Sequence, residues 1–184
     1  SAETAVTAAN ASADGTPDPS KEPPRVLCTA GAATNRTEVP FVGHDFGRDR
    51  TVWCSVRFVF NGQNAQQDFL NVSFGPWNNL ALRIVTLSGI PFFSTMFDRR
   101  EWLAVQGMEK LTPGEHVLTG IRGGDRRLYL SVDGGYPISL SLSARFIPLD
   151  GSKNLLLMRN PSEGSSVLSA EFGTGWPASV PRLF

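Results

Sequence analysis

The sequence predicts an all-β chain built as an antiparallel sandwich of two sheets, and three observations carry that prediction. Residues 111–142 hold three short runs in strict alternation: Val117, Thr119 and Ile121, then Leu128, Leu130 and Val132, then Ile138, Leu140 and Leu142. A period of two means strands with one wet side and one dry side. Between the runs, Arg122-Gly-Gly-Asp125 and Asp133-Gly-Gly135 are expected to supply the positive φ angles of hairpin turns. The composition agrees: 18 glycines and only 18% charged residues suit a protein of many turns. No internal repeat and no long amphipathic helix interrupts the pattern.

Taken in order, residues 1–24 are Ala, Thr, Ser, Asp and Pro, and Glu22-Pro-Pro24 forbids a helix, so a disordered or extended leader is expected. A sandwich domain over 25–173 follows, then an extended tail over 174–184 that carries Trp176. Val26 to Cys28 begins the strands. Val39 to Val42 is an edge element, since Pro40 cannot donate to a ladder. In 52–60, Val52, Cys54, Val56, Phe58 and Phe60 point one way, while Trp53, Ser55, Arg57 and Val59 point the other. Residues 69–74 and 80–87 form the next pair of strands. Residues 90–97 are a strand or a packed loop, and 98–103 one helical turn or an exposed loop. Strands at 146–149 and 155–158 follow the meander. Residues 167–172 are expected to return beside the first strand, which closes the sheet.

The meander resembles the concanavalin A-like jelly-roll superfamily, and within it the laminin G-like domains and the galectins. Leu111-Thr-Pro-Gly114, Arg122-Gly-Gly124 and Leu128-Tyr-Leu-Ser-Val-Asp-Gly-Gly135 carry the laminin G-like likeness. Asp68-Phe-Leu-Asn-Val-Ser-Phe74 and Asn79-Leu-Ala-Leu-Arg-Ile-Val85 resemble the hairpin before it, and the spacing from Leu80 to Leu111 is nearer a galectin. The likeness covers roughly 26–173 and implies a jelly-roll sandwich. A galectin-like sugar site would need His and Asn where this chain has Arg83-Ile-Val-Thr-Leu-Ser88. The resemblance to laminin G-like domains implies a rim calcium ion, for which no pair of carboxylates matches the pattern. No other cofactor is expected, and a calcium site stays open at this point.

Two cysteines, Cys28 and Cys54, are read as one disulfide, with two buried free thiols as the alternative. Three acceptor sequons occur, at Asn10, Asn35 and Asn71; Asn71 falls on the polar side of its strand. Together these point to a secreted or cell-surface ectodomain fragment. Ser1 to Asn10 is not apolar enough for a signal peptide. Net charge is zero, which favours neither nucleic acid nor an anionic membrane. The apolar runs stop short of the ~20 residues a spanning helix needs. The two histidines and two cysteines lack zinc-ligand spacing.

Each catalytic scheme lacks a required part. No strand carries alternating carboxylates for glycoside hydrolysis. His44 and His116 have no nucleophile elbow to serve. No phosphate-cradling glycine motif occurs. Binding is therefore the expected role. Trp77 at a hairpin end, Trp102 in the irregular region, and the basic Arg99, Arg100 and Arg126 form the candidate rim for a protein or glycan ligand. The alternative is an assembly domain of a larger glycoprotein whose leader and tail pack on neighbouring domains. A third reading is a galectin-like lectin with a degenerate sugar site.

Overall fold

The computed structural model describes residues 18–75, 79–97, 101–141 and 145–183. Strands run along it as β1 (Arg25–Ala30), β2 (Thr37–Phe41), β3 (Val52–Phe60), β4 (Gln67–Phe74), β5 (Asn79–Leu87), β6 (Ile90–Met96), β7 (Trp102–Gln106), β8 (Gly114–Arg122), β9 (Arg127–Val132), β10 (Ile138–Ser141), β11 (Lys153–Leu157) and β12 (Ser166–Thr174). They form two six-stranded sheets. The first has the order β1-β12-β3-β8-β9-β10 and the second β2-β11-β4-β5-β6-β7. Every strand pair within them is antiparallel. This is the two-layer sandwich that the alternation predicts. β12 returns as expected, seated between β1 and β3.

The alternating apolar sides of β3, β9 and β10 meet the second sheet, but the Val117, Thr119 and Ile121 side of β8 faces outward beside Trp53, and Leu118 and Gly120 face inward instead. Phe58 stacks on Phe69 with ring centroids 4.1 Å apart, and Phe46, Phe74 and Phe172 meet edge to face. Phe93 of β6 lies directly against Gly120 of β8, where a methyl group would fall inside the ring. That close approach explains a glycine in the middle of a strand.

Part of the outward side of the first sheet is buried as well, at the end covered by the tail. Trp53, Ile121 and Tyr129 form a second apolar cluster with Trp176 and Val180 of the tail. The Trp176 indole donates to the Val180 carbonyl at 3.1 Å, and the Trp53 indole to the Thr174 carbonyl at 3.1 Å. Residues 18–24 lie beside the tail. Asp18 caps a 3-10 turn at Pro19–Lys21, Trp176 N donates to Glu22 O at 3.0 Å, and Leu183 N donates to Ser20 Oγ at 3.2 Å. The tail therefore packs on its own domain, and the last residues of the leader are held by that tail.

Several sequence expectations are corrected. Cys28 and Cys54 are both free thiols. Cys28 pairs with Phe172 on one side of β12, and Cys54 pairs with the same Phe172 on the other. Two strand spacings separate them by about 10 Å, beyond the roughly 7 Å between Cα atoms that a disulfide spans. Residues 102–106 form a strand rather than a helical turn or loop. In the β8–β9 turn the positive φ falls on Arg126, at 62°, and not on the glycines; the Asp133-Gly134 turn does use positive φ at both positions. Only a single bridge, Phe97 to Phe146, stands where a strand over 146–149 was expected. Asn71 is 0% exposed and so cannot carry an N-glycan in the folded chain. Asn10 lies outside the described residues, whereas Asn35 is exposed.

Two measurements check this arrangement. Native alkylation labels Cys28 slowly and leaves Cys54 untouched, and both react once the chain is unfolded without reductant; a mass lower by two protons in the absence of reductant would contradict it. Trp176→Ala removes the anchor of the tail cluster, and urea denaturation should show a loss of about 3 kcal/mol.

Candidate ligand-binding face

The outward side of the second sheet carries a polar network that is buried over β4, where Asp68 is 1% and Asn71 0% exposed, and more open towards β6 and β7. Antiparallel pairing aligns Asn71, Arg83, Ser94 and Ala104 in one row across β4 to β7, with Leu156 of β11 beyond Asn71. One step along lies the row of Asp68, Val85, Phe92 and Gln106. A register shift after Asp68 lets Phe69 and Leu70 both face the core while Asp68 and Asn71 face out.

The Asp68 side chain is fully buried, accepts two hydrogen bonds and pairs with a second arginine. Arg83 Nη2 lies 3.3 Å and Arg159 Nη1 3.7 Å from Oδ2, and Gln66 Nε2 donates to Oδ1 at 2.9 Å. A buried carboxylate held this way stays compensated. Arg83 reaches from that carboxylate to Trp102, its guanidinium carbon 4.8 Å from the ring centroid. Trp102 itself is half-buried. A cavity of about 150 Å³ opens here, bounded by Gln66, Arg83, Val85, Leu87, Phe92 and Ser94. Beside it both polar atoms of the Asn71 amide, and Arg83 Nε, are buried without a hydrogen bond among the described residues. Leaving such groups unpaired costs about 1–3 kcal/mol each. The partly open part of the face thus offers an aromatic plate and a fixed guanidinium, with the buried Asn71 amide behind them.

Of the sequence-predicted rim residues, Trp77, Arg99 and Arg100 lie outside the described residues. Trp102 belongs to the face just described. Arg126 is exposed at the β8–β9 turn of the other sheet. That turn lies at the same end of the sandwich as Phe97, because Arg122 stacks over Phe146 at 4.7 Å and Phe146 bridges Phe97. Arg122 is buried there, donating to the Gly47 and Arg48 carbonyls at 3.1 and 3.2 Å. Burial, aided by Arg48 and opposed by Asp49 and Asp150, pulls its pKa down to about 9. Asp68, Asn71, Arg83 and Arg159 were not singled out as ligand contacts by the sequence reading. Their signal was a charged or amide residue at the polar position of two neighbouring, otherwise apolar strands.

His116 sits elsewhere, in a groove of about 340 Å³ between Met108, Leu111, Val132 and Ile138. Its Nδ1 lies 2.8 Å from Asp133 Oδ2 and its Nε2 2.7 Å from the Thr112 carbonyl. Both partners are acceptors, so the doubly protonated ring satisfies both. Burial works against the charge, yet the Asp133 and Thr112 hydrogen bonds outweigh it and raise the pKa above the ordinary value. With both nitrogens engaged, His116 has no base position to offer a nucleophile. Among the described residues no three His, Cys, Asp or Glu side chains converge to hold a metal ion, and no helix is long and apolar enough to cross a membrane.

No family model and no curated protein matches the chain. Solved structures do match its shape. The botulinum neurotoxin serotype D ligand-binding domain in complex with N-acetylneuraminic acid aligns with a TM-score of 0.60 and 8% identity, over 97% of this chain and 50% of that one. The serotype G binding domain aligns at 0.57 and 6% identity, over 82% of this chain and 42% of that one. The receptor-binding domain of the mosaic serotype C/D aligns at 0.58 and 8%, over 84% and 48%. The chain spans about half the length of the structures it matches. At this identity the likeness is one of fold, and the narrower laminin G-like or galectin-like assignment rests on the sequence resemblance alone.

The raised pKa of His116 has a stability signature. Its contribution is fully present below the unfolded value of about 6.5, and is lost as pH rises through the higher folded value. The stability gap between wild type and His116→Gln should therefore be larger at about pH 6 than at about pH 8.5. A gap that grows with pH in paired denaturation curves would contradict the ring's two acceptor contacts.

Proposed function

We propose that this chain is a non-catalytic recognition module of a secreted or cell-surface protein, and that it binds a glycan on the outward face of the second sheet. The observation that carries the reading is the Asp68–Arg83–Trp102 chain of contacts, which holds a guanidinium that lines a small cavity against an indole. A sugar ring offers an apolar face to an indole and hydroxyls to paired donors and acceptors. Arg83 is held by a carboxylate at one end and an aromatic ring at the other, so little side-chain freedom remains to be lost on binding. The N-acetylneuraminic acid complex of the serotype D domain shows a protein that shares this fold in part binding a sugar. The match covers half of that chain, so the complex lends the idea of a sugar ligand and no position for it.

The extracellular placement rests on the exposed Asn35 sequon, since the disulfide and the Asn71 sequon no longer support it. The alternative, an assembly domain, places leader and tail on neighbouring domains; the contacts that residues 18–24 and the tail make within this domain favour the recognition reading.

A glycan array followed by calorimetry tests the proposal. Wild type should bind a defined subset of oligosaccharides, and Trp102→Ala should weaken that binding about tenfold or more, equivalent to at least ~1.4 kcal/mol, with an unchanged circular dichroism spectrum. Blank arrays for the wild type, or binding indifferent to Trp102, would overturn it.

A further inference from the structure

The two sheets meet differently along their two sides. β7 and β10 lie against each other on one side. On the other, β1 and β2 are the outermost strands of their sheets, each with one edge unpaired among the described residues. An open edge invites another strand unless something blunts it. β2 is blunted: it carries Pro40, and Arg36 pairs with Glu38 at 3.6 Å along it. β1 carries no proline and no ion pair among the described residues; its one irregularity is a register shift between Val26 and Cys28, which leaves Cys28 to Ala30 in regular pairing.

Beside the start of β1 a cleft of about 360 Å³ opens, with Leu27 and Phe46 at its base. Two valines stand at its lip, Val26 at 50% and Val42 at 98% exposure. Arg25, His44 and Arg50 line the same cleft. Asp45, the acidic neighbour of His44, is engaged by Lys153 Nζ at 3.2 Å and Gly151 N at 2.9 Å. Glu22, which interacts electrostatically with Arg50, accepts from Thr51 Oγ1 at 3.1 Å and is held above its ordinary pKa, chiefly by burial. The cleft is thus apolar at its base, apolar at its lip and cationic around it.

We propose that β1 is a docking edge for an extended acidic peptide, which adds to the first sheet as a further strand. Its backbone would pair with the free edge of β1, and its alternate side chains would reach the cleft. Apolar residues would cover Val26, Val42 and Phe46, and carboxylates would meet Arg25 and Arg50. The polar face of the second sheet takes no part, so this site is independent of glycan binding.

The test uses a fluorescein-labelled peptide of about eight residues alternating Val and Asp, a Val and Lys counterpart, and the Val and Asp peptide with alternate backbone amides N-methylated. Fluorescence polarisation should show that wild type binds the acidic peptide and not the Lys peptide. Affinity should drop about tenfold or more in Arg25→Glu/Arg50→Glu and in Val42→Asp. Val42 is almost fully exposed, so the second variant retains the fold. N-methylation should abolish binding. Equal binding of the Lys peptide, indifference to both variants, equal binding of the N-methylated peptide, or no binding at all would each overturn the proposal.

Discussion

The contact between Phe93 and Gly120 sets how closely the two sheets approach. A ring from one layer occupies the place of a side chain in the other, so neither strand can shift without opening a void or a clash. The Phe58–Phe69 stack and the Phe46, Phe74 and Phe172 group fill the rest of the same interlayer space. Once the inward sides are committed to that core, every outward position of the twelve strands has to be finished in some other way.

The two sheets solve that problem differently. The first covers Trp53, Ile121 and Tyr129 with the tail, whose own Trp176 and Val180 complete an apolar cluster. Indole donors that would be orphaned in such a cluster find backbone carbonyls. The second sheet leaves its outward side to charge. Asp68 holds Arg83 and Arg159, and Arg83 carries the contact on to Trp102. The tail closes the apolar cluster on the first sheet, whereas Arg83 and Trp102 on the second stay partly open, Arg83 lining a small cavity. That contrast is the physical reason for placing recognition on the second sheet.

Alternation alone carried much of this architecture. It gave the inward residues of β3, β9 and β10, and it foresaw the return of 167–172 beside the first strand, but on β8 it picked the side that faces outward. It failed where the answer depends on lateral order. Cys28 and Cys54 are linked by sequence position to neighbouring elements, but β12, from far along the chain, lies between their strands. It failed again at Asn71, because a period of two tells the two sides of a strand apart and says nothing about what covers the outer one. Trp102 was singled out for its chemistry and misplaced in its structure: the charged residues before it read as a loop, while pairing with β6 makes 102–106 a strand. Arg83 registered only as a departure from a galectin pattern, since its partner Asp68 becomes visible only when β4 and β5 are set in register.

The assignment of one sealed face and one receptive face is open to a direct experiment by NMR. In a uniformly labelled sample, the indole N–H signals of Trp53, Trp102 and Trp176 report on the two faces separately. Titration with an oligosaccharide selected from the array should move the Trp102 indole and leave Trp53 and Trp176 in place. Shifts confined to Trp53, Trp176 and the tail, with Trp102 unmoved, would contradict it.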